Sequence, residues 1–143
     1  QNLLDLPILY LSKFIISNKS DYYKKIQAVR DHKNFEDWIL FVLEGVEQTA
    51  MDTIQTITQI QSLLLKQKHQ IRKNYKFYSQ DLLNNLFKHP YTKIEFVEQD
   101  VKVSRITAAN YLNTLSDDGI LTKKKLGVTN YYINHELFDI LSK

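Results

Sequence analysis

The sequence predicts a mainly α-helical chain with one long central helix and a small β-hairpin near its C-terminus. Three observations predict it. Only three glycines and two prolines occur in 143 residues, so long stretches carry no helix breaker. Apolar residues from Leu43 to Leu64 recur at a mean spacing of ~3.5, the period of a coiled-coil-like seam. ILTKKKL and TNYYI, joined through Gly127, read as two strands and a tight turn.

The elements follow in order. Pro7 suits a first helical turn, and Leu9, Leu11, Phe14 and Ile15 continue it to a break near Asn18. Ser20 is placed to cap a second helix bearing Tyr22, Tyr23, Ile26 and Val29. Asn34 is placed as the N-cap of a third, because Glu36 and Asp37 follow where the helix dipole favours carboxylates. This helix is expected to run from Phe35 towards Tyr75, with Leu43, Val46, Ala50, Ile54, Ile57, Ile60 and Leu64 along one side. Lys66, Lys68, Arg72 and Lys73 gather at its far end, where cations suit the dipole. The apolar seam fits either a connecting helix packed within the chain or the pairing of two copies into a homodimer.

From Ser79 the texture changes. SQDLLNNLFKHP is a short capped helix that stops before Pro90. Ile94 to Val101 reads as another helix and Ser104 to Asp118 as a third, terminated by Gly119. The hairpin follows, and Asn134 caps a last short helix containing Leu137, Ile140 and Leu141. These signals divide the chain into helices over residues 1–50, a linker helix over 51–76, and a C-terminal domain over 77–143.

Composition narrows the chemistry. No cysteine is present, which removes disulfides, thiolate catalysis and cysteine-based zinc sites and fits a cytoplasmic protein. No apolar run approaches the ~20 residues of a membrane span. Residues 1–50 carry six Lys/Arg against seven Asp/Glu, and residues 51–143 carry thirteen against nine. The second part is therefore weakly basic, which permits contact with nucleic acid without requiring it.

The stretch VSRITAANYLNTLSDDGIL, residues 103–121, carries the sharpest signal. Ser104 caps it, and Ala108, Tyr111, Leu112 and Leu115 form an apolar face at helical spacing. The opposite face carries Arg105, Ile106, Ala109, Asn110 and Asn113, with Thr107 in the first turn. Arginine can donate two bonds to guanine and asparagine can pair with adenine, so these side chains suit major-groove reading. Lys123, Lys124 and Lys125 lie on the hairpin, where phosphates would be met. Ser104, Arg105, Thr107, Asn110, Asn113 and the three lysines are the candidate DNA contacts. With the hairpin KKKLGVTNYYIN, this stretch resembles winged helix-turn-helix domains, some of which bind double-stranded DNA and some proteins. Lys102 stands in the turn where that pattern often has glycine. A lysine held there in the left-handed region would cost roughly 1–2 kcal/mol, so this turn is expected to differ slightly from the pattern.

LPILYLS, the segment SDYYKKIQAVR and the run WILFVLEGVEQTA carry a second resemblance, over residues 4–50 with Leu3 upstream. This part is similar to the helices that follow the catalytic loop in Fic-family AMP-transferring enzymes ending in a winged helix. The family's loop has the form HPFx[D/E]GNGR. Its histidine takes a proton from the target hydroxyl, its acidic residue holds Mg²⁺, and its backbone cradles the phosphates of ATP. Here the nearest string is KHPYTKIEF at 88–96, which lacks the glycines, asparagine and arginine. Nor does LEGVEQ match the family's inhibitory signature, since Leu40 stands four residues before Glu44. The resemblance thus implies a non-catalytic C-terminal region, with ATP, Mg²⁺ and the catalytic loop in the parent enzyme before Gln1. No catalytic, cofactor or metal residue is expected here. The partners implied are DNA, through which the parent would regulate its own transcription, or the parent's protein targets.

Overall fold

In the computed structural model, residues 10–142 are described, so the expectations for Leu3, Pro7 and Leu9 lie outside the described residues. The chain divides into two compact units, residues 1–57 and 58–143.

The first unit contains α1 (Ser12–Ser17), α2 (Lys19–His32) and the beginning of α3 (Phe35–Asn74). The break near Asn18 is present, but α2 starts one residue before Ser20, which lies inside it. Asn18 occupies the N-cap position, but its side chain accepts no cap hydrogen bond. Its side-chain amide instead reaches back to the Phe14 carbonyl at 2.9 Å and closes α1, while its backbone carbonyl accepts from the Tyr22 N–H at the start of α2. Lys33 ends α2 in the left-handed region, with φ 55°. Asn34 caps α3 as its sequence demands. It accepts from the Asp37 N–H at 3.5 Å and donates to the Asp37 carboxylate at 2.6 Å, a reciprocal arrangement like a capping box.

Aromatic rings hold this unit together. Phe14 meets Phe41 at 5.1 Å between centroids, Tyr22 meets Trp38 at 5.2 Å, and Trp38 lies 6.2 Å from Phe41. Gly45 permits the closest approach: a Cβ there would fall 2.6 Å from Phe14 Cδ1. The glycine on α3 is thus a packing residue.

In the second unit, residues 58–74 of α3 are followed by α4 (Gln80–Lys88), β1 (Tyr91–Thr92), α5 (Ile94–Val101), α6 (Arg105–Asp117), β2 (Thr122–Leu126), β3 (Thr129–Ile133) and α7 (His135–Leu141). The strands form one antiparallel sheet in the order β1-β3-β2. The two-residue strand β1 carries no sequence signal of its own. It exists because Tyr91 pairs with Ile133 and Thr92 with Tyr132, and the carbonyl of Pro90 accepts from the Asn134 N–H.

One core closes this unit. Ile71, Leu82, Leu83, Leu86, Val97, Ala108, Leu112, Leu115, Ile120, Leu121 and Tyr132 form a single buried cluster. The far part of α3 belongs to it, since Leu63, Gln67 and Ile71 are buried. Residues 58–74 are thus a wall of the C-terminal unit rather than a separate linker. Gln67 and Asn134 exchange amide hydrogen bonds at 3.2 and 3.1 Å while both are buried. Each satisfies the other's polar groups, which would otherwise be costly in a core. Asn134 Oδ1 also accepts from the Leu137 N–H, capping α7 as expected.

The apolar seam of α3 divides between the two units. Leu43, Ile54 and Ile57 are exposed in the first unit, whereas Leu64 packs against the core of the second.

Candidate nucleic-acid interface

Helix α6 is built by its sequence from both ends. The Ser104 hydroxyl accepts from the Thr107 N–H at 3.2 Å and shares a 2.9 Å hydrogen bond with the Thr107 hydroxyl. At the other end Gly119 adopts φ 77°, a conformation glycine reaches without steric cost. Ala108, Leu112 and Leu115 are completely buried, so the apolar face lies where its spacing places it. The opposite face is left to solvent: Arg105, Ile106 and Asn110 are exposed, and Ala109 and Asn113 are half-buried. Lys102, in the turn before α6, adopts φ 57° and ψ 45°. The cost of that conformation predicts a slightly different turn, but the turn keeps the left-handed geometry with lysine in it.

The candidate residues separate into distinct roles. Ser104 and Thr107 are engaged in the cap, which leaves Thr107 half-buried. Arg105 pairs with Glu95 of α5 at 3.6 Å, but both side chains are more than half exposed. Such a pair contributes little and exchanges readily for another anion. Asn110 is exposed on the open face. Asn113 turns towards the hairpin, where its Oδ1 accepts from the Tyr132 hydroxyl at 2.8 Å and from Lys123 Nζ at 2.9 Å.

The hairpin divides its lysines. Its turn is a two-residue loop with Gly127 at φ 60° in the first central position, a position where II′ turns require glycine. Across the sheet Lys123 pairs with Tyr132 and Lys124 with Tyr131. Successive side chains point to opposite faces of a sheet. Lys123 and Lys125 therefore share the face of buried Tyr132, next to α6. Lys124 lies on the other face with Tyr131 and Tyr91, where Lys93 Nζ also sits 4.6 Å from the Tyr131 ring centroid. The period-2 rule applied to TKKKL already contains this division. The engagement of Arg105 by Glu95 and of Asn113 by Tyr132 depends on contacts between elements and has no local signal. At the turn, Leu126 and Val128 are 63% and 98% exposed.

Asp118 is drawn away from this surface. Its carboxylate accepts from the Tyr75 hydroxyl at 2.6 Å, and burial first, then this carboxylate, push the Tyr75 phenol up to about 12. Tyr75 stacks on Phe77, which stacks on Tyr111 at 4.3 Å.

The string at 88–96 does not fit a nucleotide with its Mg²⁺. Lys88 ends α4, Tyr91 and Thr92 are committed to the sheet, and Ile94 opens α5. His89 is exposed and lies against Tyr91 at 6.0 Å. Nothing there forms a glycine-rich loop before a helix. Among the described residues, no group of three or more acidic or histidine side chains is placed to hold a metal ion. No helix among them is long and apolar enough to cross a membrane.

Comparison with known families places this unit. The family described as "Protein adenylyltransferase SoFic-like, C-terminal domain" matches residues 63–137. The match covers more than half of the chain, and it begins inside α3, at the buried Leu63. The matched residues run from α3 through α4, α5, α6 and the small sheet into α7, and the helices of the first unit lie outside the match. The matched region is the family's C-terminal domain, not its catalytic Fic domain, and on this match the chain belongs to the SoFic-like protein adenylyltransferases of the Fic family.

Proposed function

We propose that residues 58–142 form a winged helix-turn-helix that binds double-stranded DNA, as a non-catalytic C-terminal region of a Fic-family adenylyltransferase. The observation that carries this reading is the 2.9 Å contact between Lys123 and Asn113. It sets a hairpin cation at the edge of the exposed face of α6, as groove reading with phosphate gripping requires. Asn110 and Arg105 are then the base readers, and the exposed Ile106 suits a thymine methyl. Lys123 and Lys125 meet phosphates, with Lys102 beside the N-terminus of α6. ATP and Mg²⁺ belong to the parent's catalytic domain in this reading. Binding to an operator of the parent gene would make the protein its own regulator.

Electrophoretic mobility shifts over a salt series, on a selected duplex and on random duplexes, test it. Lys125→Ala should weaken binding to all sequences alike and lower the log-log salt slope by about one. Arg105→Ala should cost ~1–3 kcal/mol on the selected site and much less on random DNA. Lys124→Ala, on the other face of the sheet, should change the slope far less than Lys125→Ala. No binding at low salt would reject the reading.

A second reading is favoured by Ile106, Leu126 and Val128, which are 76%, 63% and 98% exposed. Apolar side chains at such positions suit a protein partner, either a target of the parent enzyme or a second copy. Retention of a target by the intact parent, lost in Val128→Asp, would support it.

A further inference from the structure

We infer that Asn113 is a positioning residue that holds Lys123 and the hairpin beside α6, rather than a reader of bases. This rests on the DNA-binding reading. The two bonds to its Oδ1, from the Tyr132 hydroxyl at 2.8 Å and Lys123 Nζ at 2.9 Å, use both lone pairs of that oxygen. Bidentate reading of adenine needs that oxygen as an acceptor and would have to displace one of them. Tyr132 is fully buried, so removing its acceptor would strand a hydroxyl in the core. Asn113 is therefore fixed from below by the sheet.

Lys123 gains from this. Its ammonium is held by Asn113 and sits 5.6 Å from the centroid of the Tyr132 ring. An ammonium has three donors, so two remain for phosphate oxygens after Asn113 takes one. Ordering a long, rotamer-rich side chain at an interface costs affinity. Asn113 supplies that order before DNA arrives. One oxygen thus links the helix that enters the groove to the strand that meets the backbone, and fixes the distance between them.

The consequence is a signature that neither a base reader nor a phosphate contact would give. Asn113→Ala should lower affinity about two- to tenfold, the order of one immobilised side chain. The loss should be equal on selected and random duplexes, with the salt slope unchanged, because no charge is removed. In a Lys123→Ala background the same change should have little further effect. Because Asn113→Ala strands the Tyr132 hydroxyl, the series is repeated in Tyr132→Phe, which removes that hydroxyl and keeps the bond to Lys123. Each loss in that series is read relative to Tyr132→Phe alone. A loss confined to the selected duplex, or one that persists in full without Lys123, would overturn the inference.

An arm without DNA separates this failure from failure of the DNA reading. By NMR relaxation, the Lys123 ε-methylene should be more restricted than that of Lys124 in the unaltered protein and equally mobile in Asn113→Ala. Equal mobility in the unaltered protein would overturn the inference even if DNA binds.

Discussion

The two units use apolar residues differently. Among the described residues of the first unit, Phe41 is the buried core hydrophobic, while Ile39, Leu40, Leu43, Met51, Ile54 and Ile57 are exposed along α3. In the second, leucines from α4 and α6, Val97 of α5, Ile71 of α3 and Tyr132 of the sheet close on one another. Both units are rich in leucine and isoleucine, so composition does not separate them. The difference is dimensional. Helices crossing on several sides of a small sheet enclose a volume, whereas the described helices of the first unit cover one side of α3 and leave the other open. An apolar helix face left open in this way is a surface suited to packing.

The sharpest way to break this comparison is to shorten side chains in both units. Leu112→Ala, Leu115→Ala and Leu121→Ala should each cost ~2–5 kcal/mol in denaturant unfolding, through lost transfer energy and a cavity. Leu43→Ala, at a site 57% exposed, should change stability by less than about 0.5 kcal/mol. A large loss at Leu43 in the isolated chain would mean that its face is covered in solution.

Backbone strain gives a smaller, matched test. Each unit holds one left-handed lysine, Lys33 at φ 55° and Lys102 at φ 57°. A side chain in that region is unfavourable, but glycine adds freedom to the unfolded chain. Lys33→Gly and Lys102→Gly should each stabilise by about 0.5–1 kcal/mol, read as a rise in the melting temperature. Lys102→Gly also removes a cation beside α6, so it should stabilise the fold while weakening the proposed DNA binding.

The smallest effect concerns pH and lies in the second unit alone. Tyr75 has its pKa raised to about 12 by burial and by Asp118, against an unfolded value of ~10. The folded state therefore keeps this proton while the unfolded state loses it. The stabilisation is complete below the unfolded value and is lost as pH rises from about 10 through the folded pKa near 12. Tyr75→Phe should flatten that part of the stability curve, read by denaturant unfolding across about pH 9–12.

Much was legible in the sequence because it is written in local rules. Ser79, Ser104 and Asn134 accept the cap hydrogen bonds expected of them, since capping needs only a short polar side chain and a free N–H nearby. Gly119 and Gly127 sit at positive φ, and the face of α6 bearing Leu112 and Leu115 is buried, because helical period alone fixes which side chains share a side. Ser20 is the exception. Two residues upstream, Asn18 found a better acceptor in the preceding helix and moved the boundary.

Tertiary structure decided what no local rule contains. Strand β1 is two residues long and exists through its pairing with β3. The far part of α3 joined the C-terminal core because Ile71 and Gln67 met partners distant in sequence, among them Asn134. On α6, the sequence determined which side chains face outward, but not what they touch. Glu95 engages Arg105, Tyr132 engages Asn113, and the pleat of β2 sends Lys124 away from its two neighbours. Helical and strand periods set direction along one element, whereas the partner of a polar atom depends on how elements far apart in the chain pack.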